Sequence, residues 1–409
     1  MSLFDKFLPI QEARNELLKS GVNPFHITVE KIISPTEAII NGRKTILVGT
    51  NNYLGLTFHP DSILAGQQAL AQEGTGTTGS RMANGSFASH KALENAIADF
   101  YGAPHAIVFS TGYQANLGVL SALAGPGDTI LIDGDSHASI YDGCRLGGAE
   151  IIRFKHNDVA DLEKRLRRLG DRSYRTLIVV EGIYSMLGDR APLAEIVEVK
   201  RKYGATLIVD EAHSLGVLGQ HGRGLAEEAG VEQDVDCIVG TFSKSLGSTG
   251  GFGVSFHPEF ELIRYTSRPY IFTASPCPSV VASTRATIRI IQAHPELRQH
   301  LWTNSRHLYE GLTKSGYMLG AEVGPIIAAM VPNKELALAM WQQLLENGIY
   351  VNLMIPPATP NGECLLRCSV SAAHTHNQIE KIISAFADLS HGTQIAINPA
   401  HLQPDATLN

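Results

Sequence analysis

Apolar positions alternate between two rhythms from about residue 60 to residue 256. Short, unbroken apolar runs at His105–Phe109, Thr129–Asp133, Glu150–Phe154, Leu177–Glu181 and Thr206–Asp210 read as strands. Cys237–Gly240 and Gly251–Phe256 are further strand candidates. Between them, residues 60–73, 87–101, 112–124, 158–169 and 192–203 carry apolar side chains at helical spacing. Strands that are apolar throughout are buried on both faces. The pattern therefore predicts an α/β fold with a mostly parallel central sheet covered by helices on both sides.

The two ends of the chain read differently. Leu3, Phe4, Phe7, Leu8, Ile10, Leu17 and Leu18 give the first 30 residues the spacing of a helical arm. Asn41-Gly42, set between apolar runs in Glu37–Val48, predicts a hairpin. Beyond about residue 290 a smaller α+β unit is expected. It comprises a long helix over 279–315 interrupted near Pro295, a strand at Ile326–Val331, a helix over 335–347, a strand at Tyr350–Leu353 and a helix over 377–389. The predicted organisation is an arm and β segment (1–58), a large domain (59–290), a small C-terminal domain (291–392) and a flexible tail (393–409).

Composition narrows the class. Of 409 residues, 44% are hydrophobic and 18% charged, which suits a globular chain with a substantial core. Lys and Arg number 33 against 40 Asp and Glu, a net charge of −7, and this argues against nucleic acid as a partner. No apolar run approaches the ~18 residues a membrane span requires, and the N-terminus lacks the apolar core of a signal peptide. The five cysteines are scattered, with no CxxC pair, as expected of a reduced, cytoplasmic protein.

The 39 glycines matter by position. Gly74-Thr-Gly-Thr-Thr-Gly79 matches the dinucleotide string G-x-G-x-x-G, but it follows a helical pattern, where that fingerprint requires a strand. A flexible active-site or interface loop fits it better. Ser110-Thr-Gly-Tyr-Gln-Ala-Asn116 follows a strand and opens a helix. Its small residues let backbone amides approach a phosphate, although an ordinary Ser/Thr N-cap with Gly reads the same way. Gly240-Thr-Phe-Ser-Lys244-Ser-Leu-Gly247 places one lysine among small and hydroxyl residues. Such a lysine is either a solvated loop residue or a desolvated amine nucleophile. Asp210-Glu-Ala-His213 ends a strand, where α/β sheets bind ligands. With His221 it could offer metal ligands, but its spacing fits no standard zinc pattern, and no metal is expected. A phosphate-binding helix terminus, a nucleophilic lysine and a strand-end carboxylate together meet the demands of pyridoxal 5′-phosphate (PLP).

The chain from about residue 30 to residue 390 resembles the α-oxoamine synthase family of fold-type-I PLP enzymes. The resemblance rests on Asn51-Asn-Tyr-Leu-Gly-Leu56, Gly79-Ser-Arg81, Ser110-Thr-Gly-Tyr113, Asp135-Ser-His-Ala-Ser139, Asp210-Glu-Ala-His-Ser214, Thr241-Phe-Ser-Lys244 and Arg268-Pro-Tyr-Ile-Phe-Thr273. Ser34-Pro-Thr-Glu-Ala38, His137-Ala-Ser-Ile-Tyr-Asp-Gly143, Glu181-Gly-Ile-Tyr-Ser-Met-Leu-Gly-Asp189, Pro356-Pro-Ala-Thr-Pro360 and Leu365-Leu-Arg-Cys-Ser369 are similar to its bacterial branch that joins L-serine to a long-chain acyl thioester. The resemblance implies a decarboxylative condensation giving a 3-keto amine, a thiol (CoA or acyl carrier protein) and CO2, the first step of sphingoid-base synthesis. Branches using glycine or alanine are the nearest alternatives. An aminotransferase or lyase on the same scaffold, or a non-catalytic partner subunit, are more distant ones.

The resemblance also assigns roles. Lys244 forms the Schiff base and removes the Cα proton, Asp210 pairs with the ring nitrogen, and His137 stacks on the ring. His213 contacts the phenolic oxygen, while Gly112, Tyr113, Thr241, Ser243 and Ser185 surround the cofactor. Thr273 reaches the phosphate from the second subunit of a homodimer with shared active sites. Arg367 holds the substrate carboxylate, and Asn52 lies near the substrate. Contact with a membrane surface would suit a lipid product. Members of that branch often carry Arg just before the Pro-Pro-Ala-Thr-Pro loop, where this chain has Ile355, which cannot make a charge-assisted hydrogen bond. From the residues alone, His137 reads more readily as a satisfied strand-end histidine than as a functional one, and Arg367 could be a structural ion-pair residue.

Overall fold

The computed structural model describes residues 2–19, 23–359 and 362–392. The expected tail at 393–409 lies outside the described residues. Seven strands form the central sheet: β1 (His105–Phe109), β2 (Thr129–Asp133), β3 (Glu150–Phe154), β4 (Thr176–Glu181), β5 (Thr206–Asp210), β6 (Cys237–Thr241) and β7 (Gly251–Ser255). Their spatial order is β1-β7-β6-β5-β4-β2-β3. Strands β2 to β6 run parallel, and β7 lies antiparallel to both β1 and β6.

Side chains alternate across the sheet, as period-2 geometry requires. Val108, Ile178, Val180, Leu207 and Val209 enter one buried cluster, while Ile107, Phe109, Leu177, Val179 and Ile208 enter another on the opposite face. The second face is covered by two helices, α1 (Gly112–Leu123) and α2 (Ala138–Gly147). The first is covered by Ala88–Tyr101, Val159–Leu169, Leu193–Tyr203 and Pro278–Ala293. The predicted α/β architecture holds, with β7 as the antiparallel exception. α2 is not among the helices expected from the sequence, although its buried Ser139, Ile140, Gly143 and Cys144 fall at helical spacing.

The predicted long helix is two, Pro278–Ala293 and Glu296–Lys314, because Pro295 cannot donate to the carbonyl ladder. The predicted strand at 350–353 divides between two sheets. Ile349–Tyr350 adds in parallel to Arg43–Leu47 of the N-terminal hairpin. Asn352–Met354 pairs with Cys364–Ser369, which also pairs with Ile326–Val331. Cys364–Ser369, which the hydropathy pattern did not single out, carries Arg367. The Ser369 amide donates to the Val48 carbonyl at 2.6 Å, tying this strand to the N-terminal segment. Among the described residues, no helix is long and apolar enough to cross a membrane.

Candidate active site

Parallel strands align their carboxyl ends, and the loops that leave them enclose a cavity of about 300 Å³. One end of it is the junction of β1 and α1. Thr111 caps α1 by accepting the Gln114 amide at 3.0 Å, so the other first-turn amides remain available to an anion. Glycine is required here. A Cβ on Gly112 would meet the Thr241 side chain at 2.8 Å, and one on Gly251 would meet the Gly112 Cα at 2.6 Å. The Thr241 hydroxyl lies 2.9 Å from that of Ser243 and donates to the Gly250 carbonyl at 3.0 Å, adding hydroxyl groups beside the amides.

Lys244 stands on the loop joining β6 to β7, half-buried against the cavity. Among the described residues no carboxylate lies within ion-pair distance of it. Burial lowers its pKa from 10.5 to about 8, a shift that Asp210 and Glu181 oppose and Arg367 reinforces. Asp210 ends β5 and is buried. Its Oδ2 accepts from Asn116 Nδ2 at 2.7 Å, and its Oδ1 accepts from the Ala212 amide at 2.9 Å. Glu181, directly opposite Asp210 in register on β4, accepts the His137 amide at 2.5 Å. Burial, then the charge of Asp210, raise the Glu181 carboxyl well above the ordinary range.

A relay runs through these groups. Asn116 Nδ2 also donates to Ser139 Oγ at 2.9 Å, and that hydroxyl meets His137 Nδ1 at 2.8 Å. The Ser139 amide points at the same nitrogen, at 3.2 Å, so His137 Nδ1 is an acceptor and its proton sits on Nε2. Burial and Lys244 lower the His137 pKa against the opposing pull of Asp210, which keeps the ring neutral. His213 is buried, with Nδ1 2.7 Å from the Tyr53 hydroxyl. Burial, reinforced by Lys244, Arg367 and His137, holds its pKa well below the usual value.

The structure brings Gly112, Tyr113, His137, Asp210, His213, Thr241, Ser243 and Lys244 to this one cavity. Four other candidates do not line it within a single chain. Ser185 offers only its backbone, its carbonyl accepting Arg367 Nε at 2.6 Å. Arg367 is 2% exposed, and its remaining bonds go to Ser369 Oγ at 2.8 Å and Asn51 Oδ1 at 3.3 Å, all neutral partners. Asn52 is buried, bonded to Thr57 Oγ1 at 2.9 Å, and its Oδ1 has no partner. Thr273 lies 3.4 Å from Gln114 Nε2 of its own chain, beside the first turn of α1. Ile355 packs partly buried against the core.

Other motif residues serve the scaffold. Glu211, next to Asp210, accepts the Leu225 and Ala226 amides at 2.9 and 2.8 Å, so its carboxylate caps a helix. Arg81 pairs with buried Glu94 at 2.9 Å. Gly74 follows the helix Pro60–Glu73, not a strand, as the sequence pattern indicated.

Sequence reasoning missed Asn116, Ser139 and Glu181. Glu181 carried a usable signal, since it is an acidic residue ending an apolar strand, as Asp210 does. Asn116 and Ser139 are common helix residues with no signal of their own.

These residues fit PLP on observed grounds. The glycine cradle leaves room for a phosphate against amides. Beside it, buried Asn116 Oδ1 and Gln114 Oε1 have no partner. A lysine of lowered pKa and a hydrogen-bonded carboxylate face one cavity.

The model of the family "aminotransferase class I and II" matches residues 43–386. The serine palmitoyltransferase of Caulobacter vibrioides is 58% identical over 389 residues, covering 95% of this chain and 96% of that protein. The enzyme of the same description from Sphingomonas paucimobilis is 54% identical over 387 residues, covering 94% and 92%. Among solved structures, Sphingomonas wittichii serine palmitoyltransferase superposes with a TM-score of 0.94 at 56% identity, covering 97% and 100%. A high-resolution structure of SPT with PLP internal aldimine gives 0.94 at 53% identity, covering 96% and 99%.

Proposed function

The chain belongs to the aminotransferase class I and II family, and from that premise we propose that it is an α-oxoamine synthase joining L-serine to a palmitoyl-CoA-like thioester. The products are 3-ketosphinganine, CoA and CO2. It is a PLP-dependent acyltransferase. The observation that carries the reading is the meeting of Lys244 and Asp210 in one cavity opened by the N-terminus of α1, in a chain so similar along its length to serine palmitoyltransferases.

The first-turn amides of α1, with Thr241 and Ser243, would hold the cofactor's phosphate. Lys244 would bind it covalently, Asp210 would face its ring nitrogen, and His137 and His213 would flank the ring. When bound, the cofactor supplies an electron sink for the carbanion at the amino acid's Cα. Lys244 Nζ, with its lowered pKa, takes the Cα proton near neutral pH. Asn116 keeps Asp210 oriented by a bond at 2.7 Å and, through Ser139, fixes the tautomer of His137. The Tyr53 hydroxyl, 2.7 Å from His213 Nδ1, fixes the orientation of that ring. Arg367, buried without a carboxylate partner among the described residues, holds the substrate carboxylate after a modest rearrangement. Positioning both substrates makes the carbon–carbon bond formation effectively intramolecular.

The proposed working unit is a homodimer. Leu262, Tyr265 and Phe272 are exposed around the segment that carries Thr273, an apolar surface that a second copy would cover while bringing Thr273 to its phosphate. The reaction is assigned to the cytoplasm. Exposed Leu3, Phe4, Phe7, Leu8 and Ile10 on the arm suit contact with a membrane surface.

Ile355, in place of a second cation, favours one alternative, in which glycine or alanine is the amino acid. The test is to incubate purified holoenzyme with palmitoyl-CoA and each of serine, alanine and glycine, then measure free thiol and the mass of the ketone. Serine-dependent thiol release with the 3-keto amine supports the assignment. No thiol release, with a keto acid formed from an amino donor, overturns it in favour of transamination.

A further inference from the structure

We propose that His307, His376 and Glu380 form a binding site for a divalent transition ion of the zinc type, outside the PLP cavity. His307 lies on the helix Glu296–Lys314, and His376 and Glu380 lie one turn apart on the helix His376–Gly392. Spacing of i and i+4 puts the latter two on one helix face, and the two helices pack so that His307 meets them. One ligand atom from each residue lies within 4.8 Å of the others. His307 Nε2 is 2.6 Å from Glu380 Oε1, and His376 Nε2 is 3.9 Å from the same oxygen. Zinc binds such donors at about 2.0–2.1 Å, which sets neighbouring donors of a tetrahedron about 3.4 Å apart. The two observed separations bracket that value, and small rotations of partly exposed side chains reach it.

The two imidazoles are stacked with centroids 4.8 Å apart and planes 24° apart, so at least one ring must turn about its side-chain bonds for both Nε2 lone pairs to meet at one ion. An ion bound there would replace the His307–Glu380 hydrogen bond and leave its remaining positions to water. Two imidazoles and one carboxylate suit zinc, nickel or copper better than magnesium or calcium, which prefer all-oxygen sites. Side-chain exposures of 32%, 72% and 52% for His307, His376 and Glu380 leave the site open to ions from solvent. The bound ion would staple the last described helix to the long helix beneath it.

The test titrates zinc sulfate into chelator-treated holoenzyme by calorimetry, alongside H307A, E380Q and the double variant H307A/H376A. None of the three residues belongs to the proposed catalytic machinery, so retained PLP absorbance and condensation activity certify that each variant is folded. One ion per chain is expected, with affinity weakened at least about tenfold in each single variant and lost in the double variant. Zinc should also raise the melting temperature of the wild type and leave that of the double variant unmoved. Unchanged binding in the double variant, an equal thermal shift in both proteins, or no saturable binding below about 100 µM overturns the site.

Discussion

With Lys244 as the proposed capturing amine, its titration sets a measurable pH at which the cofactor-free protein takes up PLP. Only the neutral amine attacks an aldehyde, and burial brings the Lys244 pKa from 10.5 to about 8. At pH 7 about one molecule in ten then carries a neutral amine, against about three in ten thousand for an ordinary lysine. The rate of covalent capture, followed by the growth of visible absorbance after mixing PLP with cofactor-free protein, should rise about tenfold per pH unit to about pH 8 and level off by about pH 9. Asp210 is the larger of the two charges that oppose the shift. Asp210→Asn should therefore move the midpoint to lower pH, even as it weakens the final complex. A capture rate that climbs without a plateau through pH 10, or a midpoint that moves upward in Asp210→Asn, would refute a lysine desolvated by the cavity and held up by that carboxylate.

Three further outcomes test the surrounding architecture. Asn116→Ala removes the donors to Asp210 and Ser139, and should lower kcat about tenfold or more with PLP still bound, measured by thiol release under saturating serine. Arg367→Lys should raise the KM for serine more than it lowers kcat, because a lysine cannot reproduce the fork that meets Ser185, Ser369 and Asn51; equal effects on both would count against carboxylate binding. His156 bridges Asp133 at 2.7 Å and Asp189 at 2.6 Å, and although burial pulls its pKa down, the two carboxylates raise it to about 10. Its contribution to stability is complete below about pH 6.5 and is lost as pH rises toward 10, so His156→Asn should cost about 3 kcal/mol in urea denaturation at pH 6 and much less at pH 10.

Much of the fold was legible because buried parallel strands leave continuous apolar runs, and β1, β2, β3 and β5 coincide with theirs. Strand direction was not legible. β7 has the same apolar character as its neighbours, and only the short loop from Thr241 to Gly251 hints at an antiparallel return. Lys244 and Asp210 could be found because a charged residue amid small or apolar neighbours is conspicuous. Asn116 and Ser139 could not, since their importance comes from α1 and α2 packing side by side, a tertiary fact that leaves no periodic trace. Arg367 was found by motif, but its neutral setting required two distant segments, around Asn51 and Ser185, to meet Ser369 of its own strand.

The antiparallel insertion of β7 bears on biosynthesis. β7 lies between β1 and β6, with Gly251 opposite Phe109 on one side and Thr241 on the other. The amides of α1 and the hairpin of Lys244 therefore share one seam, and its two halves are far apart in sequence. A chain emerging from the ribosome N-terminus first has β1 and α1 long before it has β7. Until residue 251 and its successors emerge, the edge of β1 has no partner, and the loop entropy of that distant pairing is still to be overcome. A chain stalled before residue 251 therefore lacks the seam on which the proposed phosphate cradle and Lys244 meet, and the pairing of Ile349–Tyr350 with Arg43–Leu47 closes later still.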